Sequence, residues 1–312
     1  MPVLTTDQLA SVMRSVQDAS YLDVLILEHC GEIAIEHYAN GYTATRLHDM
    51  QSATKTVPGL LVGIAIDQGL IKSVDQPIRE LLTEHADLLT GGKANITVRH
   101  LLEMTSGLKW IDFGPERSFE KQAAAADSVA FILGEPLVSN PGKTWFYNTG
   151  SSHLLSAIVR KVSGKSTGVF AETYLFGPLD FGEYQWGTHA DGTHEGGWQL
   201  YLRPVDALKL GQLLLAQGTW KGQQIISSAF IENAMTYRHG TQFPGSGYGF
   251  QMWIETAYGV NKLAGARGWG GQNILVAPDE HLILVTGGSV MHPAEMAAIV
   301  QSLMGHIAPA LR

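Results

Sequence analysis

Strand-like runs stand at both ends of this chain, and helical runs fill the space between them. Tyr21 to Cys30 is rich in Leu, Ile and Val. Gly31-Glu32 supplies a tight turn, and Ile33 to Tyr38 alternates as a second strand. At the other end Tyr248 to Thr256, Gly259 to Ala264, Asn273 to Pro278 and His281 to Thr286 read as strands joined by short turns. A helix over Asp7 to Gln17 precedes the first strands, and a helix over Pro293 to Ile307 follows the last ones. Strands this far apart can share a core only if both termini build one sheet. The expected fold is therefore α+β: an antiparallel sheet flanked by helices, with an all-helical domain inserted. Residues 1–70 and 240–312 would form the α/β domain, and 71–239 the helical domain.

The middle of the chain supports that division. Thr97 can cap Val98 to Met104, and Ser118 to Gly134 is helical by composition. Ser151 to Val162 places Leu154, Leu155, Ile158 and Val159 on one face and ends at Gly164. Pro204 suits the start of a helix over Val205 to Gln217, which ends at Gly218. Ile226 to Met235 is a further short helix, and Gly177 to Gly197 is a glycine-rich loop.

Composition excludes some classes of function. The net charge of -8 argues against nucleic acid or an anionic membrane as the main partner. No run of about 18 apolar residues is present to span a membrane. The start of the chain has neither a basic n-region nor an apolar h-region, so no signal peptide is expected and a cytoplasmic location is. With Cys30 alone, no intrachain disulfide can form. The oligomeric state is not legible.

Chemistry concentrates at Asp49-Met50-Gln51-Ser52-Ala53-Thr54-Lys55, just ahead of an apolar run, Val57 to Leu70. A serine and a lysine three apart on a helix share a face. A lysine whose pKa is lowered by burial or neighbours can take the serine proton, which makes S-x-x-K a compact device for acyl transfer. The spacing alone is weak, because Ser106-x-x-Lys109 and Ser118-x-x-Lys121 share it. Ser52 could also merely cap a core helix, with Lys55 in solvent. Pro58 falls where a helix begun near Ser52 would need an amide bond to Thr54, so a kink or an irregular first turn is expected.

Further groups need weighing. Tyr147, on the loop before the Ser151 helix, could relay a proton between nucleophile and leaving group, or simply pack the loop. Gly265 to Gln272 could bring backbone amides to an oxyanion hole, or form a bend around Trp269. His189, Asp191, His194 and Glu195 match no metal-ligand spacing, so a polar loop is the preferred reading and no metal or cofactor is expected. Gly142-Lys143-Thr144 and Gly164-Lys165-Ser166 lack the leading glycine of a P-loop, there is no G-x-S-x-G elbow, and nothing singles out a glycosidase carboxylate pair.

In order along the chain, Ser52-Ala53-Thr54-Lys55, Tyr147-Asn148-Thr149 and Trp269-Gly270-Gly271 resemble the three motifs of the serine β-lactamase and penicillin-recognising family, on its class C side. His100 to Leu108, reading H-L-L-E-M-T-S-G-L, is similar to another of its segments, as are Pro141-Gly142 and His153-Leu154-Leu155. The resemblance implies Ser52 as nucleophile and Lys55 with Tyr147 as general base. It also implies an oxyanion hole from the amides of Ser52 and Gln272, with Trp269, Gly270, Gly271 and Thr149 at the substrate. Two positions depart from the β-lactamase pattern. Thr149 stands where asparagine is usual, and W-G-G replaces K-T-G. The W-G-G form resembles esterases of the fold, and the Tyr147 to Leu155 run resembles relatives of 6-aminohexanoate-dimer hydrolase. Trp269 cannot supply the charge that binds an acidic β-lactam. The expected substrate is therefore a small ester or amide, in a pocket to which Trp110, Tyr248 or Trp253 could add. A β-lactamase or D-alanyl-D-alanine peptidase is the alternative, and a non-catalytic binding protein a third reading.

Overall fold

The computed structural model describes residues 5–17, 21–289 and 293–310. Its centre is an eight-stranded antiparallel sheet. The order across it is Glu32–Tyr38, Leu22–His29, Leu282–Gly288, Gln272–Ala277, Leu263–Gly268, Trp253–Glu255, Ser246–Tyr248 and His239–Gly240. Leu22–His29 pairs with Leu282–Gly288, so the two ends of the chain do share one sheet.

Period-two alternation sets which side chains go to which face. Val24 and Ile26 enter one core, and Leu25 and Leu27 the other. The neighbouring strands do the same: Ile274, Val276, Ile283 and Val285 face one way, Leu275, Leu282 and Leu284 the opposite way. Complete burial of each such side chain contributes about 1.5–3 kcal/mol. The second core is closed by the helices Thr6–Gln17 and Pro293–Ile307, through Val12, Ile299, Val300 and Leu303. The first core continues into the helical half of the molecule.

Two helices carry that continuation. Thr56–Asp67 is apolar almost all round and buried from Thr56 to Ala65. Such a helix belongs inside a protein rather than on its surface. Thr149–Ser163 packs against it, capped by the Asn148 side chain, which accepts from the Ser151 amide at 2.9 Å, and ended by Gly164 at φ 66°. A left-handed C-terminal residue is where glycine stops a helix without strain. The helix Pro204–Leu215, from the middle of the sequence, lies on the sheet. Gly211 fits under Ile283, where a Cβ would come within 2.5 Å of its methyl, and Gln212 donates to Glu28 at 2.6 Å. We propose on this contact that residues 204–215 go with the sheet-bearing unit rather than with an inserted domain 71–239.

Several local expectations change. Tyr248 to Thr256 is not one strand but the hairpin Ser246–Tyr248 and Trp253–Glu255, turned at Gln251 with φ 54°. Ser118 to Gly134 divides into Ser118–Ala123 and Ser128–Gly134, because the Asp127 side chain caps the second helix through the Ala130 amide. The strand sought at Gly259 to Ala264 runs from Leu263 to Gly268. The irregular first turn expected near Pro58 is a 3-10 segment, Gln51–Lys55, with the α-helix starting at Thr56. Pro58 thus lies in the first α-helical turn, where its missing N–H costs little.

Asn148 caps its helix and also donates to the Leu108 carbonyl at 3.2 Å, at 2% exposure. Asn148→Ala should lower stability by about 1–2 kcal/mol, read as a shift of the urea midpoint at unchanged slope.

Candidate active site

The site starts from a strained turn. Gln51 has φ 47°, unfavourable for a residue with a side chain. Asp49 holds it there, accepting from the Gln51 amide at 2.9 Å and from its side-chain amide at 2.5 Å. The 3-10 segment that follows presents Ser52, half-buried, and Lys55, only 2% exposed. Lys55 Nζ donates to Ser52 Oγ at 3.1 Å and to the Gly197 carbonyl at 2.8 Å. The two competing matches to the spacing behave differently. Lys109 is exposed, and Lys121 is exposed in an ion pair with Glu116. Ser106 bonds to Ser151 in the core.

Tyr147 immediately precedes the Asn148 cap. Its ring centroid lies 5.0 Å from Lys55 Nζ, within cation–π range. Trp253 and Phe113 stand beside it at 5.8 and 6.2 Å between centroids. Trp145, Tyr248 and Phe243 extend this aromatic group through Trp253. Trp110 packs against Phe131 and over Gly150, with its indole within reach of Asp112.

Thr149 is buried and donates from both its hydroxyl and its amide to Asp112. Sequence reading missed Asp112. It lies on a loop with no diagnostic spacing, and the one clue was a hydroxyl at the motif's third position that needs a partner. Burial raises the Asp112 pKa, while the charge of Lys55 and the Thr149 bonds oppose the rise. A carboxylate thus stands in the electrostatic neighbourhood of the lysine.

The third motif approaches from the sheet. Gly268, the last residue of its strand, leaves no space for a side chain, since a Cβ would come within 2.4 Å of the Met50 carbonyl and 3.0 Å of the Ala53 amide. Trp269 follows, 36% exposed, and Gly270 and Gly271 form the turn with φ 87° and 96°. Gln272 sits across the hairpin, paired with Gly268. Its side chain donates to the carbonyls of Gly288 and Trp269 at 2.7 and 3.1 Å.

Behind Gly197 lies a buried polar cluster where the sequence suggested a polar loop. Glu195 is 1% exposed. His189 Nε2 meets Glu195 Oε2 at 2.5 Å, and His153 Nδ1 stands 3.7 Å from Glu195 Oε1. The three groups place one potential ligand atom each within 4.8 Å of one another. Asp191 reaches the cluster through Ser128, whose hydroxyl donates to Asp191 and is bonded to His153 Nε2 at 2.7 Å. His194 points away, its ring against Trp186.

The Beta-lactamase family profile matches residues 23–301. The chain belongs to the Beta-lactamase family. It is 24% identical to a 6-aminohexanoate-dimer hydrolase of Paenarthrobacter ureafaciens, an alignment covering 91% of this chain and 77% of the relative. A Bacillus anthracis protein assigned as a 6-aminohexanoate-dimer hydrolase superposes with a TM-score of 0.80 at 23% identity, over 96% of this chain and 81% of the other. A family VIII carboxylesterase superposes at 0.75 with 16% identity, over 97% and 98%. Family membership makes the chain a serine hydrolase of this fold. No helix among the described residues is long and apolar enough to cross a membrane.

Burial pushes the Glu195 carboxyl up, but the hydrogen bonds and charges of His153 and His189 outweigh it and hold the pKa well below the ordinary 4.5. The folded state therefore binds fewer protons than the unfolded one as the pH falls through that range. The stability so gained is complete above pH 4.5 and is lost on acidification towards the folded pKa. Glu195→Gln should flatten the loss of stability below pH 4.5, followed by urea unfolding at a series of pH values.

Proposed function

We propose that Ser52 is the nucleophile of a carboxylesterase or amidase acting on small substrates without a carboxylate at the binding end. The observation that carries the reading is the buried Lys55 Nζ, shared between Ser52 Oγ and the Gly197 carbonyl beside the Tyr147 ring. A surface lysine would be solvated and inert. This one has the serine oxygen as a hydrogen-bond partner.

In the proposed reaction, Ser52 Oγ attacks the carbonyl carbon as Lys55, acting as the neutral amine, takes its proton, and the Tyr147 hydroxyl relays a proton to the leaving group. The tetrahedral oxyanion collapses as the leaving oxygen or nitrogen takes up that proton and departs as alcohol or amine. Water, activated by the same pair, then attacks the acyl-serine and releases the acid. One oxyanion donor is the Ser52 amide. For the second we propose the Trp269 amide in place of Gln272. Gly268 is the residue that meets the Ser52 turn, and Trp269 follows it directly, whereas Gln272 lies across the hairpin. Donors fixed in advance stabilise charge as it develops, with no reorganisation during the step.

Two features bear on the substrate. Trp269 brings an indole to the position where the resemblance leads one to expect a cation. That works against a substrate carboxylate, and the Asp112 carboxyl, whose pKa is raised by burial, supplies no cation either. The Tyr147, Trp253 and Phe113 rings favour an apolar acyl or alkyl group. The name of the aminohexanoate relative fits the kind of bond cleaved, but a linear dimer of that amino acid carries a carboxylate, so this reading sets the substrate of the present chain apart from it.

Ser52→Ala should cut turnover of p-nitrophenyl acetate by at least about 10⁴-fold, and Lys55→Ala by about 10³-fold, each with an unchanged circular dichroism spectrum. Retained turnover in Ser52→Ala would sink the assignment. Intact-protein mass spectrometry should show an acyl adduct on the wild type only. Nitrocefin should be hydrolysed at least about 10²-fold more slowly than the ester in kcat/KM, about 2.7 kcal/mol of discrimination; comparable rates would favour the β-lactamase alternative.

A further inference from the structure

Glu195 has no part in the reaction described above, and a carboxylate at 1% exposure is expensive to keep in a protein. Its contacts indicate a use. Oε1 accepts the Gly197 N–H at 2.9 Å, and the Gly197 carbonyl accepts from Lys55 at 2.8 Å. Gly197 is therefore held on one side by the carboxylate while it holds the lysine on the other.

The residue between them has to be glycine. A Cβ on residue 197 would fall 2.2 Å from Thr149 Cγ2, 3.3 Å from Lys55 Nζ and 3.4 Å from Glu195 Oε1. Close approach thus removes the side chain, and with it the steric restriction on φ and ψ. An unrestrained glycine would let its carbonyl swing, and Lys55 with it. We infer that Glu195 is a positioning residue for Lys55, fixing Gly197 so that its carbonyl holds Lys55 Nζ against Ser52.

The surrounding groups are arranged to fix Glu195 in turn. Its main chain is pinned by Trp186 Nε1, which donates to its carbonyl at 2.6 Å, and by its own amide, which donates to the Gly187 carbonyl at 2.8 Å. Its second carboxylate oxygen takes the direct bond from His189. Ser128 has a single proton and gives it to Asp191, so His153 Nε2 must donate to Ser128, which sets the tautomer and orientation of that ring. His189 and Glu195 are in direct hydrogen-bond contact at 2.5 Å, closer than the about 3.4 Å between two ligands of one tetrahedral zinc.

The inference rests on Lys55 and Ser52 acting as proposed. Two variants separate position from charge. Glu195→Gln keeps an oxygen that can accept from Gly197 and loses the charge. Glu195→Asp keeps the charge among the histidines and withdraws the oxygen by one methylene. Glu195→Asp should lower kcat for p-nitrophenyl acetate by about 10- to 100-fold with KM changed by less than about threefold. Glu195→Gln, near neutral pH, should stay within about fivefold of wild type in kcat. Thermal midpoints recorded alongside confirm that both variants are folded. Wild-type kcat in Glu195→Asp, or a loss in Glu195→Gln as deep as in Glu195→Asp, would overturn the positioning role. Ser52→Ala is measured in parallel. Activity lost there and unchanged in Glu195→Asp refutes the role of Glu195 alone. Activity retained in Ser52→Ala refutes the site assignment beneath it.

Discussion

Burying the Lys55 ammonium is the constraint that the rest of the site answers to. A cation taken out of water must be paired or hydrogen-bonded, or it becomes neutral. Here its partners come from three distant stretches of sequence: Ser52 on its own turn, the Gly197 carbonyl from the long middle loop, and the face of Tyr147 ahead of the Thr149–Ser163 helix. None of these is a carboxylate in direct contact. Asp112 acts from one remove, with its own oxygens engaged by Thr149.

Close packing then decides which residues can stand around it. The Ser52 turn is approached by Gly268 from the sheet, and Lys55 by Gly197 from the loop. In both places a single added carbon would meet backbone or packed side chain at under 2.5 Å. The sheet, whose central strands are buried on both faces, gives Gly268 a fixed address. The loop has no such lattice, so Gly197 needs side chains to hold it. Behind the loop, buried Glu195 bonds the Gly197 amide.

How much of this was legible in the sequence follows from what kind of physics each feature uses. The shared sheet was legible because alternation and β-branched composition are local signals, and the capped Thr149–Ser163 helix because Asn148 and Gly164 mark its ends. The serine and lysine were legible only as one of three equal matches, since spacing says nothing about burial. What separates Lys55 from Lys109 and Lys121 is the apolar helix that follows it and the Gly197 carbonyl 142 residues away. The false single strand at Tyr248 to Thr256 came from the same limit: Gln251 turns with a positive φ that a glutamine does not advertise. Glu195 and His189 read as a polar loop because their third partner, His153, lies on a different element, and polarity in sequence does not reveal that the groups pair inside.

The polar cluster also bears on how such a fold can vary. Ser52 and Lys55 are fixed to each other by one turn of chain, but the lysine's second partner is a loop glycine that follows the hairpin from Gln185 to Glu195. A change in that hairpin can shift the Gly197 carbonyl without touching Ser52, Lys55 or Tyr147. A displacement of about 1 Å in a positioning contact is enough to cost orders of magnitude in rate. On the proposed reading the site depends also on residues that form no motif, and the spacing of serine, lysine and tyrosine does not by itself set the position of the lysine.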